Sequence, residues 1–166
     1  MNTAQPIRNH KDLENLKRYY REVRPNARNQ LLVILGLNTA LRISDLLGLR
    51  WRDVYLFEWD KYSEHICLVE QKTGKHSSIY INQNIVQILQ TYQRQLIEQG
   101  RKPLPEDYLF SHSNKREPIS RVQAFRIVKC SGEFIIKLPQ GVICCHSLRK
   151  TFVIRHGGRE SLRHCL

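Results

Sequence analysis

The sequence predicts an α+β fold, mainly helical, with one small three-stranded antiparallel sheet. Three observations carry this expectation. Apolar residues recur at three- and four-residue spacing through most of the chain, as on helices that bury one face. Between Val54 and Ile81 the period shortens to that of strands, with a glycine-bearing turn inside it. No internal repeat and no linker-like stretch divides the 166 residues, a length that suits one domain with a real core.

Taken in order, residues 1–9 are polar, contain Pro6 and form a loose lead-in. Asn9 or His10 precedes a helical pattern with Leu13, Leu16, Tyr20 and Val23 on one side, and Pro25 and Asn26 end it. Residues 27–37 are apolar almost all round, which predicts a central helix. Asn38 and Thr39 can cap a third helix that holds Arg42 and ends near Gly48. On it Leu41, Leu46 and Leu49 would face the core, while Arg42 and Asp45, three apart, share the opposite face. Residues 54–57, 66–69 and 78–81 read as three strands. The last two are joined by Lys72-Thr73-Gly74-Lys75, with glycine where a positive φ is needed. Asn82 caps a helix whose stripe of Ile85, Ile88, Leu89, Tyr92 and Leu96 is core, ending at Gly100. A proline-bearing loop comes next, then the buried segment Tyr108-Leu109-Phe110 and a polar loop over residues 111–117. Ser120 caps a further helix with Val122, Phe125 and Val128 inward and Arg121 and Arg126 outside that stripe. Ser131-Gly132 and Pro139-Gln140-Gly141 punctuate the next stretch, and residues 146–155 form the last helix.

Charge narrows the function. A net charge of +12 and a pI near 9.8 favour a polyanionic partner, either nucleic acid or an anionic membrane surface. There is no run of eighteen apolar residues and no apolar stretch in residues 1–10, so a soluble cytoplasmic protein is expected, with nucleic acid preferred over membrane. Five cysteines, an odd count with no C-x-x-C spacing, fit a reducing compartment. Cys144-Cys145-His146 with His164-Cys165 lacks the separated ligand pairs that structural zinc prefers, so no metal is expected.

Three motifs carry chemistry. Arg42 and Asp45 in Ala-Leu-Arg-Ile-Ser-Asp-Leu-Leu-Gly-Leu-Arg-Trp (40–51) read alone as an ordinary i,i+3 salt pair or as a guanidinium steadied by a carboxylate to grip phosphate. Lys72 and Lys75 in Glu-Gln-Lys-Thr-Gly-Lys (70–75) read alone as solubilising turn lysines. His146 and Arg149 in Cys-His-Ser-Leu-Arg-Lys-Thr-Phe (145–152) share one helix face, and His146 alone would be a histidine without a role. In this order and at this spacing the three resemble the first arginine box, the lysine hairpin and the H-x-L-R-x-T box of the tyrosine recombinases, also called the phage integrase family. The resemblance runs from about Pro6 to Phe152.

The resemblance implies an integrase-type catalytic domain over residues 1–152, with a non-matching tail, 153–166, after it. It implies DNA integration or recombination for a mobile element, by breakage and rejoining of double-stranded DNA through a phosphotyrosine link, without metal or cofactor. By resemblance Arg42 and Arg149 bracket the phosphate, His146 is acid/base and phosphate ligand, Lys72 protonates the departing 5′-hydroxyl, and Asp45 orients Arg42. Lys75, Arg121, Arg126 and Lys150 are candidate backbone contacts. Lys115 and Arg116 fit either that role or a solvated loop. The partners implied are DNA and either a homo-oligomer on it or a complete homologous recombinase, with no membrane.

Two departures qualify the expected activity. The family's nucleophilic tyrosine would lie after Phe152, yet the last of the seven tyrosines is Tyr108, so no nucleophile is assigned. A frameshift or premature stop would account for this, leaving a DNA-binding remnant or an unstable pseudogene product in place of a working recombinase. The first box begins near residue 39, which leaves no room for the family's N-terminal clamp domain, so DNA binding is expected to be weak and salt-sensitive. A helix-turn-helix regulator is disfavoured because the basic residues sit on separated boxes.

Overall fold

The computed structural model describes residues 4–135 and 143–156. Their helices and short antiparallel hairpins form two compact units, one from residues 1–46 and 120–159 and one around residues 47–119, counting only the described parts.

The first unit is helical. Helix α1 spans His10–Arg18, with the Asn9 side chain accepting the Lys11 N–H. A single π turn, Tyr19–Val23, continues it, closed by an Arg24 N–H to Tyr19 C=O bond of 2.9 Å. The wider turn shifts the register of the helical face, so Tyr19 and Tyr20 both point inward and Val23, expected in the core, is half exposed. The Tyr20 hydroxyl donates to the Ile127 carbonyl at 2.7 Å. Helix α2, Ala27–Asn38, is capped by Asn26 and buried on every side from Leu31 to Leu35, as its all-apolar surface predicts.

Helix α3 is shorter than expected, Ile43–Leu47, and Arg42 stands just ahead of it. The Arg42 carbonyl accepts the N–H groups of Asp45 and Leu46 at 3.0 and 3.1 Å. The reason lies upstream: α2 runs through Asn38, Thr39 is extended, and its hydroxyl accepts the Leu41 N–H, holding residues 39–42 out of a helix. Leu41, Leu46 and Leu49 are buried as expected.

Helix α5, Arg121–Ile135, begins at Ser120, whose hydroxyl accepts the Gln123 N–H. Its inward stripe is Ala124, Ile127, Val128 and Ser131, so Val122 and Phe125 face outward, contrary to expectation. Ser131 and Gly132 do not punctuate the chain but lie inside this helix. Ser131 Oγ, fully buried, donates to the Val128 carbonyl at 2.8 Å. The Pro139-Gln140-Gly141 turn lies outside the described residues. Helix α6, Cys145–Arg155, starts at Cys144, whose N–H donates to the buried Ser147 Oγ at 3.2 Å. Two glycines set its place. A Cβ on Gly36 of α2 would meet Leu148 Cδ1 at 2.6 Å, and a Cβ on Gly132 would meet Ile143 Cβ at 2.6 Å.

In the second unit a 3₁₀ turn, Trp51–Asp53, leads into two separate hairpins in place of the expected three-stranded sheet. Strand β1, Tyr55–Leu56, pairs with β2, Lys61–Tyr62, and β3, His65–Val69, pairs with β4, His76–Tyr80. The turn at Asp60, with φ +49°, folds the first strand back on its immediate successor, which takes its hydrogen bonds before β3 begins. Gly74 does adopt a positive φ, +65°. Helix α4, Gln83–Glu98, is capped by Asn82 and buries the predicted stripe. The Tyr92 hydroxyl donates to the Leu109 carbonyl at 2.9 Å, and Leu109 and Phe110 are fully buried.

Candidate functional site

The first unit builds a basic groove on α6. Ser147, Leu148 and Thr151 turn into the core, which forces His146, Arg149, Lys150, Val153 and Ile154 to the opposite face at i, i+3, i+4, i+7 and i+8. These five, with Gln5, Pro6 and Arg8 of the N-terminal segment, line a cavity of about 530 Å³. His146 is exposed and Arg149 half-buried, so the imidazole and guanidinium are available to a ligand at the mouth while their helix is anchored below.

The N-terminal wall was not legible in the sequence. Residues 4–8 are strapped along α6 by two bonds spanning almost the whole chain. The Ile7 N–H donates to Thr151 Oγ1 at 2.8 Å, and Lys150 Nζ donates to the Ala4 carbonyl at 3.0 Å. Ile7 is buried, and the Thr151 hydroxyl in turn donates to the Ser147 carbonyl at 2.7 Å. The expected loose lead-in is therefore ordered from Ala4 on. No local signal marks it, because a single isoleucine among polar residues has no period.

Arg42 is half-buried at the start of α3, in the same unit as α6, and is not among the residues lining the groove. Asp45, in the first turn of α3, is only 4% exposed. Lys72 and Lys75 are exposed on the β3–β4 turn of the second unit. The base of that turn is held by buried Glu70, which accepts from Ser77 Oγ at 2.9 Å and Thr73 Oγ1 at 3.2 Å. Lys115 is exposed on a loop organised by Arg101, whose guanidinium donates to the carbonyls of His112, Ser113 and Lys115. Arg116 pairs with Asp107. Arg121 and Arg126 lie exposed on α5 beside Val122 and Phe125. Arg50, the second arginine of the first box, is structural: it lies 4.3 Å over the Tyr108 ring and donates to the Tyr108 hydroxyl.

The tyrosines are mostly packing groups. Burial pushes the Tyr20 phenol well above its usual value and that of Tyr62 up to about 12. Burial, reinforced by the neighbouring Cys144, likewise pushes the Cys145 thiol up to about 11. Since the thiolate is the reactive form, Cys145 should alkylate far more slowly at pH 7.5 than exposed Cys67. Timed iodoacetamide labelling with peptide mapping checks this; equal rates would contradict it.

A mainly helical domain with small antiparallel hairpins and a helix presenting His and Arg at i, i+3 is the architecture of an integrase-type catalytic domain. The sequence profile of the phage integrase family matches residues 9–155, and the chain belongs to that family. It is 35% identical over 152 residues to the probable integrase/recombinase YoeC of Bacillus subtilis (strain 168), covering 92% of this chain and 74% of that protein. The fold is similar to that of the XerA recombinase, with a TM-score of 0.66 and 22% identity over 95% of this chain and 52% of that one. It is equally similar to lambda integrase bound to DNA, with a TM-score of 0.66 and 14% identity over 97% of this chain and 54% of that one. The chain thus spans about half the length of these solved relatives. Among the described residues no helix is long and apolar enough to cross a membrane.

Proposed function

We propose that residues 1–152 are the phosphate-gripping part of a tyrosine recombinase catalytic domain that acts on double-stranded DNA in the cytoplasm, in the service of a mobile element. The observation that carries the proposal is the α6 groove, where His146 and Arg149 of the family's box face outward together. Phosphodiester exchange builds negative charge on the non-bridging oxygens, which is where paired guanidinium N–H donors act. Arg149 takes that role in the groove; Arg42, which does not line it, is given the same role only by the match of its box to the family, with buried Asp45 to steady it. His146 donates to the phosphate and moves a proton. Lys72 supplies the proton that the departing 5′-oxygen needs when a tyrosine oxygen attacks phosphorus. Lys75, Lys115, Arg116, Arg121, Arg126 and Lys150 add backbone contacts. Lys150 spends one of its three donors on Ala4 and keeps two for phosphate.

The covalent step requires a tyrosine beyond Phe152, and none follows Tyr108 in these 166 residues. These 166 residues alone should therefore leave no covalent adduct on a nicked suicide substrate, and their basic groove should make duplex binding strongly salt-dependent. If a complete homologous recombinase shares the site, that partner supplies the tyrosine. Arg149→Ala should weaken binding and flatten the plot of log K against log salt by about 0.9. Gel shifts and denaturing gels on one substrate read both outcomes. Salt-independent binding, or an adduct formed by this polypeptide alone, would overturn the proposal.

A further inference from the structure

We infer that Arg8 is a further phosphate contact of the α6 groove, and that the bond from Ile7 to Thr151 sets its position; this rests on the reading of the groove as a DNA site. Arg8 lines the same cavity as His146 and Arg149, though more than 130 residues separate them in the chain. Its neighbour Ile7 is 5% exposed and donates its N–H to the buried Thr151 hydroxyl, so the backbone one residue before Arg8 is pinned to α6. The second bond, from Lys150 Nζ to the Ala4 carbonyl, holds the far end of the strap. Between these two anchors the chain has little freedom, and Pro6 restricts it further.

Charge points the same way. No acidic side chain is among the described residues that line the cavity. Arg8, Arg149 and Lys150 therefore put three cations and one imidazole around a single cavity, with Pro6, Val153 and Ile154 as its apolar wall. A phosphodiester with its sugar fits that chemistry. The anion meets the cations, and the sugar face meets the apolar wall. An arginine exposed on a strap already pinned in place loses less conformational freedom on binding than one on a free terminus.

Thr151 is a positioning residue here. It accepts from the strap and touches no DNA. The family's H-x-L-R-x-T box thereby acquires a physical reason for its last residue in this chain: the hydroxyl that donates to Ser147 within α6 also receives the strap.

The test is a salt titration of duplex binding by fluorescence anisotropy, using the full 166-residue chain and its Arg8→Ala, Arg8→Lys, Thr151→Val, Thr151→Ser and Arg149→Ala variants. Arg8→Ala should flatten the salt slope by about 0.9. Binding at 0.1 M salt should fall about eightfold if the two lines meet near 1 M. Arg8→Lys, which keeps the charge, should retain the slope. Thr151→Val should fall to the level of Arg8→Ala, Thr151→Ser should not, and Arg8→Ala combined with Thr151→Val should lose nothing more. An Arg8→Ala protein with the wild-type slope, beside an Arg149→Ala protein with a reduced one, overturns the inference and leaves the DNA reading standing. A Thr151→Val protein with the wild-type slope removes the positioning role. A wild-type protein with no salt-dependent binding removes the DNA reading, and this inference with it.

Discussion

Gly132→Ala should lower the stability of the first unit by about 3 kcal/mol. The new Cβ would stand 2.6 Å from Ile143 Cβ and 2.9 Å from its Cγ2. Neither atom is the loose end of a long side chain. Ile143 is β-branched, buried and only two residues ahead of α6. Relief must come from moving backbone, and that backbone carries Cys144, whose N–H bond to Ser147 starts the helix bearing His146 and Arg149. The control is Gly36→Ala. Its Cβ would also come within 2.6 Å of a neighbour, but that neighbour is Leu148 Cδ1, a terminal methyl that can swing. Urea denaturation should rank Gly132→Ala well below Gly36→Ala. Equal costs would show that the Ile143 segment yields as easily as a side-chain tip.

Trp51→Ala should cost the second unit about 3–5 kcal/mol, the range for emptying a large aromatic site in a core. Trp51 is 1% exposed and its ring lies 5.5 Å from that of Tyr92. Its backbone N–H donates to the Asp107 carbonyl at 2.9 Å, and the Leu109 N–H donates to the Leu49 carbonyl at 2.8 Å, so the cavity would open beside the seam joining residues 49–54 to 105–109. Fluorescence separates the two tryptophans, because Trp59 is 67% exposed. In a Trp59→Phe background emission should be blue-shifted and come from Trp51, and should move red on unfolding. Trp51→Ala in the otherwise unaltered chain should leave only the red emission of Trp59. A blue-shifted residue of emission in that variant would contradict the assignment.

Where a residue's neighbours lie within a turn or two of it along the chain, sequence alone placed it well. The α4 stripe, the all-apolar α2, the helix start near Asn9, the caps at Asn82 and Ser120 and the positive φ at Gly74 all follow from local period and backbone sterics. The pairing of His146 with Arg149 on one face is of the same kind, set by helix geometry. The misplacements share one cause, a choice between locally equivalent arrangements made by distant contacts. On α5 two stripes were available, and the one with Ala124, Ile127 and Val128 won, with the Tyr20 hydroxyl bonded to Ile127. At Tyr19–Val23 a π turn changed the register, and no period of 3.6 anticipates that. The first strand chose the nearest partner over a longer sheet.

The sequence by itself determined the family and the helical character, because those depend on residue type and on spacing within one helix or hairpin. Tertiary structure alone decided that residues 4–8 belong to the α6 groove, that Gly132 is a contact and not a stop, and that Arg42 precedes its helix. Each of those depends on a hydrogen bond or a close approach to a partner outside the local period, and periodicity carries no record of which partner the folded chain brings alongside.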